Sequence, residues 1–532
     1  MTRFGASASA ATNSPALPFA LLVAVLLYNC ATLGRVPAFL NEDDGIFASA
    51  AYQFWQTGKP GGPGYKDVVG LSTDMWAVGR TFAAIQGAFM HFFGVSIFAA
   101  LLPSFLAGLG LLAATGALGR ALWDAQTAWL ASLLLAASGK FFEACRWARP
   151  DILLTFFFLL SLWLAASAPA GKPYRRLFLA GLVMGLSGDV HLNGFLIAPL
   201  PLLFWLLLRS EAWCVRWRAG LSFVGAGSLG ALCWLALHYW PNPEAMLRQA
   251  AVYGGQTHGL RIAKLGLLGV LEAETHRYTD WFWAARGHRH LLEGLCVLAA
   301  GAWLLWREGR VGRAAVGVWI AFFLIGAAFM SNPFGWYLIL IWPVFALWMA
   351  RAFFAFPRRR VAQIVLLACF SAYLVNLALW YVKARQDVPL QARLPELRLL
   401  IPARAPVLAS GGLWFAFWDR DYTGDYYFQF RDLETRVYPE TGPTGWTEEQ
   451  RKRGWRYIAA YGDLRRFLDP EVPLDEILAS GPHRSRAAQI REARAFSLAR
   501  CSVERRIPGY ADSILVLRVH SDQTNTLRDS KK

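Results

Sequence analysis

Glu42, Asp43 and Asp44 stand in a row directly after the first long apolar run, in FLNEDDGIFASAAYQFW. Three adjacent carboxylates beside an apolar helix repel one another unless a cation joins them, so this run asks for a partner. A second segment, KFFEACRWARPDILLTFFF, supplies Glu143, Arg146, Arg149 and Asp151, and a third, SGDVHLNG, supplies Asp189, His191 and Asn193. The stretch 241–290 adds His258, Arg261 and His276, and MSNPFGWYLILIWP adds Asn332 and Tyr337. Carboxylates and imidazoles of this kind serve as general acids and bases, and guanidinium forks pair with anions. Each residue also has a plainer reading. Asp44 suits a solvated helix end, and Asp151 suits a helix start after Pro150. Arg146 and Arg149 suit anchors at a membrane interface, and His191 suits a structural hydrogen bond. The acids and histidines lack metal-ligand spacing, so no metal ligand or cofactor is assigned, and a divalent metal has little support.

The elements that must carry these residues are apolar helices. Of 532 residues, 56% are hydrophobic and only 17% are charged, with 24 Trp and 36 Phe. That composition is far from a soluble protein of this length and suits a membrane protein with aromatic interfaces. The net charge of +17 comes from short basic clusters between apolar segments, which argues against nucleic-acid binding. The seven Cys show no CxxC spacing and read as small buried hydrophobes.

A membrane span needs about 20 apolar residues. Eleven segments qualify or nearly so: 15–34, 97–118, 125–140, 151–168, 176–188, 193–209, 218–240, 291–306, 313–331, 334–352 and 361–382. The first is long enough to span and has no small-residue cleavage site after it, so it reads as a transmembrane helix rather than a cleaved signal. Arg120, then Lys172, Arg175 and Arg176, then Arg209, Arg216 and Arg218, then Arg307, Arg310 and Arg313, then Arg351, Arg358, Arg359 and Arg360 follow alternate spans. The positive-inside rule makes those loops cytoplasmic, and the N-terminus with them. Loops 35–96, 141–150, 189–192 and 241–290 then face out, and so does the tail from 383. The polar residues singled out above therefore meet at one face, the outer one. Ionisable groups at membrane depth are costly and mark functional sites.

The polar tail, 383–532, reads as a soluble domain. PVLASGGLWFAF and SILVLRVH have strand character, and EEQRKRGWRYIAAYGDLRRFL is helical in part. The sequence thus predicts a polytopic α-helical membrane domain over 1–382 and a small C-terminal α/β periplasmic domain over 383–532. The loop GKPGGPGYKDVVGLS, too rich in Gly and Pro for continuous helix, reads equally as a lid or as a passive loop.

At NEDDGIFASAAYQF and CRWARPDILLTFFF the chain resembles the GT-C membrane glycosyltransferases of the protein O-mannosyltransferase and aminoarabinose transferase type, glycosyltransferase family 39 and its relatives. HFFGVSIFAALLPSFLAGLG and WYLILIWPVFALW are similar to further stretches of that family. The resemblance covers about the first 210 residues well and the late spans loosely. It implies a GT-C fold of about 11 transmembrane helices in a bacterial inner membrane, with membrane lipids around it. It implies transfer of a hexosyl or pentosyl group, with inversion, from a polyprenyl-phosphate sugar donor to a glycan, lipid or protein acceptor.

By the same resemblance Asp43 is the base that takes the acceptor proton, and Asp151 orients the acceptor or an arginine. Arg149, Arg146 and Arg80 are the candidates to meet the donor phosphate, with Asp44, His191 and Tyr337 lining the substrate site. Many relatives carry a Lys-Pro-Pro segment in the first outer loop. This chain has STDMWAVGRTF there, and Arg80 is the residue that can supply the charge. A transporter or flippase would also need many spans and a polar cluster, but it predicts inverted repeats and ionisable residues at the bilayer midplane. A non-catalytic assembly partner with the outer domain as a binding module is the third reading.

Overall fold

A computed structural model describes residues 16–33, 42–66, 68–75, 78–257, 261–279, 281–282, 290–329, 335–356, 359–386, 390–441, 445–479, 486–508 and 513–520. His258 and Asn332, singled out above, lie outside the described residues. The chain is a polytopic α-helical membrane protein with a small C-terminal α/β domain.

Each of the eleven expected apolar segments is helical. They are α1 (Ala16–Thr32), α4 (Ile97–Leu122), α5 (Ala125–Ala137), α7 (Asp151–Ala166), α8 (Tyr174–Val190), the α9–α10 pair (Asn193–Ile197, Leu200–Leu208), α11 (Trp213–Trp234), α14 (Leu291–Arg307), α15 (Gly309–Phe329), α16 (Trp342–Ala355) and α17 (Arg359–Gln386). By length and composition, Ile97–Leu122, Trp213–Tyr239 and Gly309–Phe329 are long and apolar enough to cross a membrane, and several others are shorter apolar helices. The breaks have local causes. Pro199 separates α9 from α10, and the Ser138 side chain accepts from the Phe141 amide to start the short α6 (Gly139–Ala144). Before α16 the chain runs as 3-10 helix from Gly335 to Leu340, and Pro343 sits in the first turn of α16, where a missing amide costs nothing.

Packing within the bundle follows small residues. A side-chain carbon at Gly185 would collide with the Gly227 carbonyl, so α8 and α11 approach backbone to backbone, as small residues permit between membrane helices. The other face of α11 exposes Trp213, Trp217, Leu221, Leu229 and Leu232, a face suited to lipid rather than water.

Two expectations for the outer loops need correction. Loop 35–96 is not a plain loop: it holds α2 (Glu42–Thr57) and α3 (Arg80–Phe93). Loop 241–290 holds α12 (Pro243–Thr257) and α13 (Arg261–Thr279). Both stretches carry too few apolar residues to register as spans, yet their helices lie against the bundle end and bury one side. The Gly/Pro-rich segment between α2 and α3 is irregular, as predicted. It is docked rather than free: Lys66 pairs with Asp421 at 2.6 Å, and the Tyr65 ring meets Phe430 edge-on.

The C-terminal domain begins with α18 (Leu390–Leu400). Five strands follow in the order β2-β1-β3-β5-β4: β1 (Val407–Ala409), β2 (Tyr422–Gly424), β3 (Tyr457–Ala460), β4 (Cys501–Pro508) and β5 (Ser513–Val519). The pairs β1–β2 and β1–β3 are parallel, and β5 is antiparallel to both β3 and β4. Around the sheet lie α19 (Trp414–Phe417), α20 (Tyr426–Val437), α21 (Trp446–Arg453), α22 (Gly462–Leu468), α23 (Leu474–Ala479) and α24 (Ala487–Arg500). The three segments expected to contain strands or helix here do so. Cys145 and Cys501 form no disulfide.

The sheet domain sits directly on α2. A side-chain carbon at Gly45 would strike the carbonyl oxygen of Gly411, so only glycine allows this approach. Tyr52 of α2 packs edge-on to Trp418 with ring centroids 5.4 Å apart.

Candidate active site

The turn from Cys145 to Pro150 joins α6 to α7 and is buried almost throughout. Buried backbone polar groups need partners, and neighbouring helices supply them. Asp44, 1% exposed, accepts from the Ala148 amide at 2.8 Å. Gln86 of α3 donates to the carbonyls of Ala100 (2.8 Å) and Ala148 (3.3 Å), and Ser104 of α4 donates to the Arg149 carbonyl at 3.1 Å. Three helices, α2, α3 and α4, therefore fix one turn, and that turn aims Arg149.

Arg149 is the hub. Its Nε donates to Asp151 at 2.8 Å, and its Nη1 donates to Asp43. Of the acids at the start of α2, Asp43 thus finds the cation that the run asks for. Asp43 begins α2 and Asp151 opens α7, so the pair is placed by two helix starts, where carboxylates are also favoured by the peptide dipoles. Exposure separates the members: the side chains of Arg149 and Asp151 are 5% and 4% exposed, whereas that of Asp43 is 29% exposed. Asp43 is the member a substrate can reach. Asp151 Oδ1 is buried with no hydrogen-bond partner among the described residues, so it retains an unused acceptor.

His191 and Tyr337 flank this cluster, their rings edge-on with centroids 6.1 Å apart. His191 Nδ1 also accepts from the Asn193 amide at 3.1 Å. Arg80 opens α3 and pairs with Asp74 at 3.2 Å. Its neighbour Thr81 donates from backbone and side chain to Asp189, which binds His238 at 2.5 Å. This ties the start of α3 to the end of α8, two residues before His191.

Arg146 is placed elsewhere. It points to α1, donating to Asn29 and Thr32, and its guanidinium lies 3.6 Å over the Phe142 ring. The structure thus brings together Asp43, Asp44, Arg149 and Asp151, with His191 and Tyr337 beside them and Arg80 linked through Thr81 and Asp189. It does not bring in Arg146.

One pair escaped the sequence reading. Arg277 and Glu274, both fully buried on α13, form an ion pair at 2.9 Å, and the guanidinium lies 5.9 Å from the Tyr337 ring centre. His276, named from sequence, is 59% exposed on the other side of the same helix. The signal was the i,i+3 spacing of opposite charges within an otherwise apolar-faced segment. Among the described residues no three His, Cys, Asp or Glu side chains gather to hold a metal. The arrangement offers the part-exposed Asp43 carboxylate as a proton acceptor, with the guanidinium groups of Arg149 and Arg80 nearby.

Residues 80–240 match the family model described as dolichyl-phosphate-mannose-protein mannosyltransferase. This stretch contains Arg149, Asp151 and His191 but not Asp43. Among solved structures the chain is similar to ArnT from Cupriavidus metallidurans bound to undecaprenyl phosphate, with TM-score 0.61 and 14% identity, covering 96% of this chain and 98% of that one. It is also similar to the oligosaccharyltransferase of Archaeoglobus fulgidus, at TM-score 0.52 and 13% identity, covering 90% of this chain and 71% of that one. A further structure from Archaeoglobus fulgidus, AglB in complex with an inhibitory peptide and a dolichol-phosphate, matches at TM-score 0.50 and 12% identity over 84% and 69% of the two chains. At these identities the likeness is one of fold, and the chain has the GT-C fold expected from its sequence. No curated protein matches the chain in sequence.

Proposed function

We propose that this chain is an inverting glycosyltransferase that moves a sugar from a polyprenyl-phosphate donor to a glycan, lipid or protein acceptor at the periplasmic face of a bacterial inner membrane. The observation that carries the proposal is the Asp43–Arg149–Asp151 cluster at one end of the bundle, with Asp43 alone open to substrate. The bound undecaprenyl phosphate and dolichol-phosphate of the similar structures support the donor class. The alternating basic loops support the orientation, with the N-terminus cytoplasmic and residues 383–532 outside.

In this reading the acceptor hydroxyl or amine gives its proton to the Asp43 carboxylate as it attacks the anomeric carbon. The bond from that carbon to the lipid phosphate oxygen breaks, and the phosphate leaves on the opposite side with the electron pair. Arg149 holds Asp43 and Asp151 in register, so the base is fixed before substrate arrives, and such positioning supplies much of the rate. Arg80, at the start of α3, meets the leaving phosphate, with Arg149 behind Asp43 adding positive charge. Asp151, buried beneath, orients Arg149 and through it Asp43. His191 and Tyr337 line the sugar side.

Transport is disfavoured because these polar groups sit at the bundle end, whereas carriers place them near the midplane. Purified protein in lipid vesicles tests the choice. Transfer of radiolabelled sugar from polyprenyl-phosphate sugar to a membrane-extracted acceptor is the expected result. Uptake of label into sealed vesicles without transfer would overturn it.

A further inference from the structure

The C-terminal domain has a crevice that the transfer site does not use. Its three parallel strands lie in the order β2-β1-β3. The chain leaving β1 crosses to one side and the chain leaving β3 runs to the other, so the loops after these two strands diverge. Open α/β sheets bind ligands at such a switch point, outside the carboxyl ends of the strands. Ser410, after β1, ties that strand end to the loop after β3: its Oγ donates to the Tyr461 carbonyl and accepts from the Tyr461 amide, both at 2.9 Å.

Chemistry gathers at those strand ends. Asp425 follows β2 and Asp463 follows β3, and with Arg486, Gln489, Phe428 and Trp446 they line a shallow, open pocket of about 50 Å³. Phe428 and Trp446 stack face to face with centroids 4.1 Å apart. Binding sites for small molecules commonly take this form, an aromatic wall with a few convergent polar groups. Arg486 stands against the exposed Asp463 and against Asp425, whose carboxyl burial raises to about 7, so the pocket has no net positive charge to draw phosphate or carboxylate ligands. Carboxylate oxygens accept from hydroxyl or ammonium groups, while the guanidinium and amide donate to ring and hydroxyl oxygens. Sugar rings offer that set of groups together with an apolar face for aromatic contact.

The pocket also abuts the transfer site's scaffold. Asp425 Oδ1 accepts from the amides of Gly411 and Tyr426, each at 3.0 Å. Gly411 is the residue seated on Gly45, two positions past Asp43, and Tyr426 lines both this pocket and the cleft between α2 and the sheet domain.

We propose that the crevice at the carboxyl ends of β1, β2 and β3, lined by Asp425, Asp463, Arg486 and Gln489 against Phe428 and Trp446, binds a neutral or amino saccharide unit of the acceptor. The acceptor role rests on the transferase reading; saccharide binding itself does not. The test uses the full chain in lipid nanodiscs without donor, titrated with a β-linked glucosamine disaccharide and with cellobiose, read by saturation-transfer NMR. At least one disaccharide binds the wild type. The surface changes Asp463→Ala and Gln489→Ala each weaken it about tenfold, the worth of one good hydrogen bond. Asp43→Asn leaves binding unchanged, and inorganic phosphate does not compete. The proposal is overturned if neither disaccharide binds, if both variants bind as wild type, if Asp43→Asn abolishes binding, or if phosphate displaces the sugar. Retained, pocket-dependent binding by a protein that fails to transfer sugar would sink the transferase reading and leave this site standing.

Discussion

Arg146 and Arg149 lie three residues apart on one buried turn, and the two sides of that turn serve opposite ends. On the α1 side Arg146, 1% exposed, is met by neutral partners, Asn29 and Thr32, and by the face of Phe142. On the α2 side Arg149 faces two carboxylates, and one of them, Asp43, stays open to solvent. A buried cation with neutral hydrogen-bond partners serves as a structural rivet. A buried cation bridging an open and a closed carboxylate fixes the open one, the group proposed here as the base. The lesson is that burial and residue type do not distinguish these roles; the charge and openness of the partner do.

The contrast breaks most visibly at Arg149. Arg149→Ala leaves Asp151 as a buried carboxylate without its cation, which costs about 3–5 kcal/mol, and it frees Asp43. Thermal unfolding in detergent should show the loss of stability, and the folded fraction should transfer no measurable sugar. Arg146→Ala should cost about 1.5–3 kcal/mol, the range for hydrogen bonds to a charged group, yet transfer per folded molecule should stay near wild type. Equal loss of specific activity in both variants would erase the distinction drawn here.

A milder change tests the docking that sets α2. Gly45→Ala forces the helix away from Gly411, with an overpacking cost of about 1–3 kcal/mol. Faster proteolysis of the segment joining α17 to the sheet domain, with a reduced transfer rate, is the expected pair of effects.

A further effect, a pH dependence, lies in the sheet domain. Burial pushes the Asp425 carboxyl from 3.8 up to about 7, although the amides of Gly411 and Tyr426 pull the other way. Between about pH 4 and 7 the folded domain therefore holds a proton that the unfolded chain releases, and stability falls as pH rises through this window. Below and above the window the group contributes no slope. The domain should unfold at a lower temperature at pH 8 than at pH 5, and Asp425→Asn should flatten that difference.

Much of the frame was legible in the sequence because apolar length is a direct signal. The eleven segments and the one-sided gathering of Asp43, Arg149 and Asp151 followed from hydropathy, loop charge and family resemblance. What was hidden lay in α2, α3, α12 and α13. These helices lie against the bundle end and are only partly apolar, so neither span length nor strand alternation marks them. Arg277 was missed for that reason, while its exposed neighbour His276 was noticed. The sheet-domain crevice was hidden by different physics. Strands of three or four residues, such as Val407–Ala409 and Tyr457–Ala460, give almost no periodic signal, and the order β2-β1-β3 is a tertiary fact. Nor could spacing alone divide Arg146 from Arg149, since Asn29 and Asp43, the partners that set them apart, lie 117 and 106 positions away.

The central claim is that Asp43 is the base. Its most direct test is the transfer rate of Asp43→Asn against wild type, in vesicles, with matched expression and unfolding temperature. The account predicts a drop of about 10²–10⁴-fold, the usual worth of a general base, from a protein that folds and inserts normally. Transfer within a few-fold of wild type by that variant would contradict it.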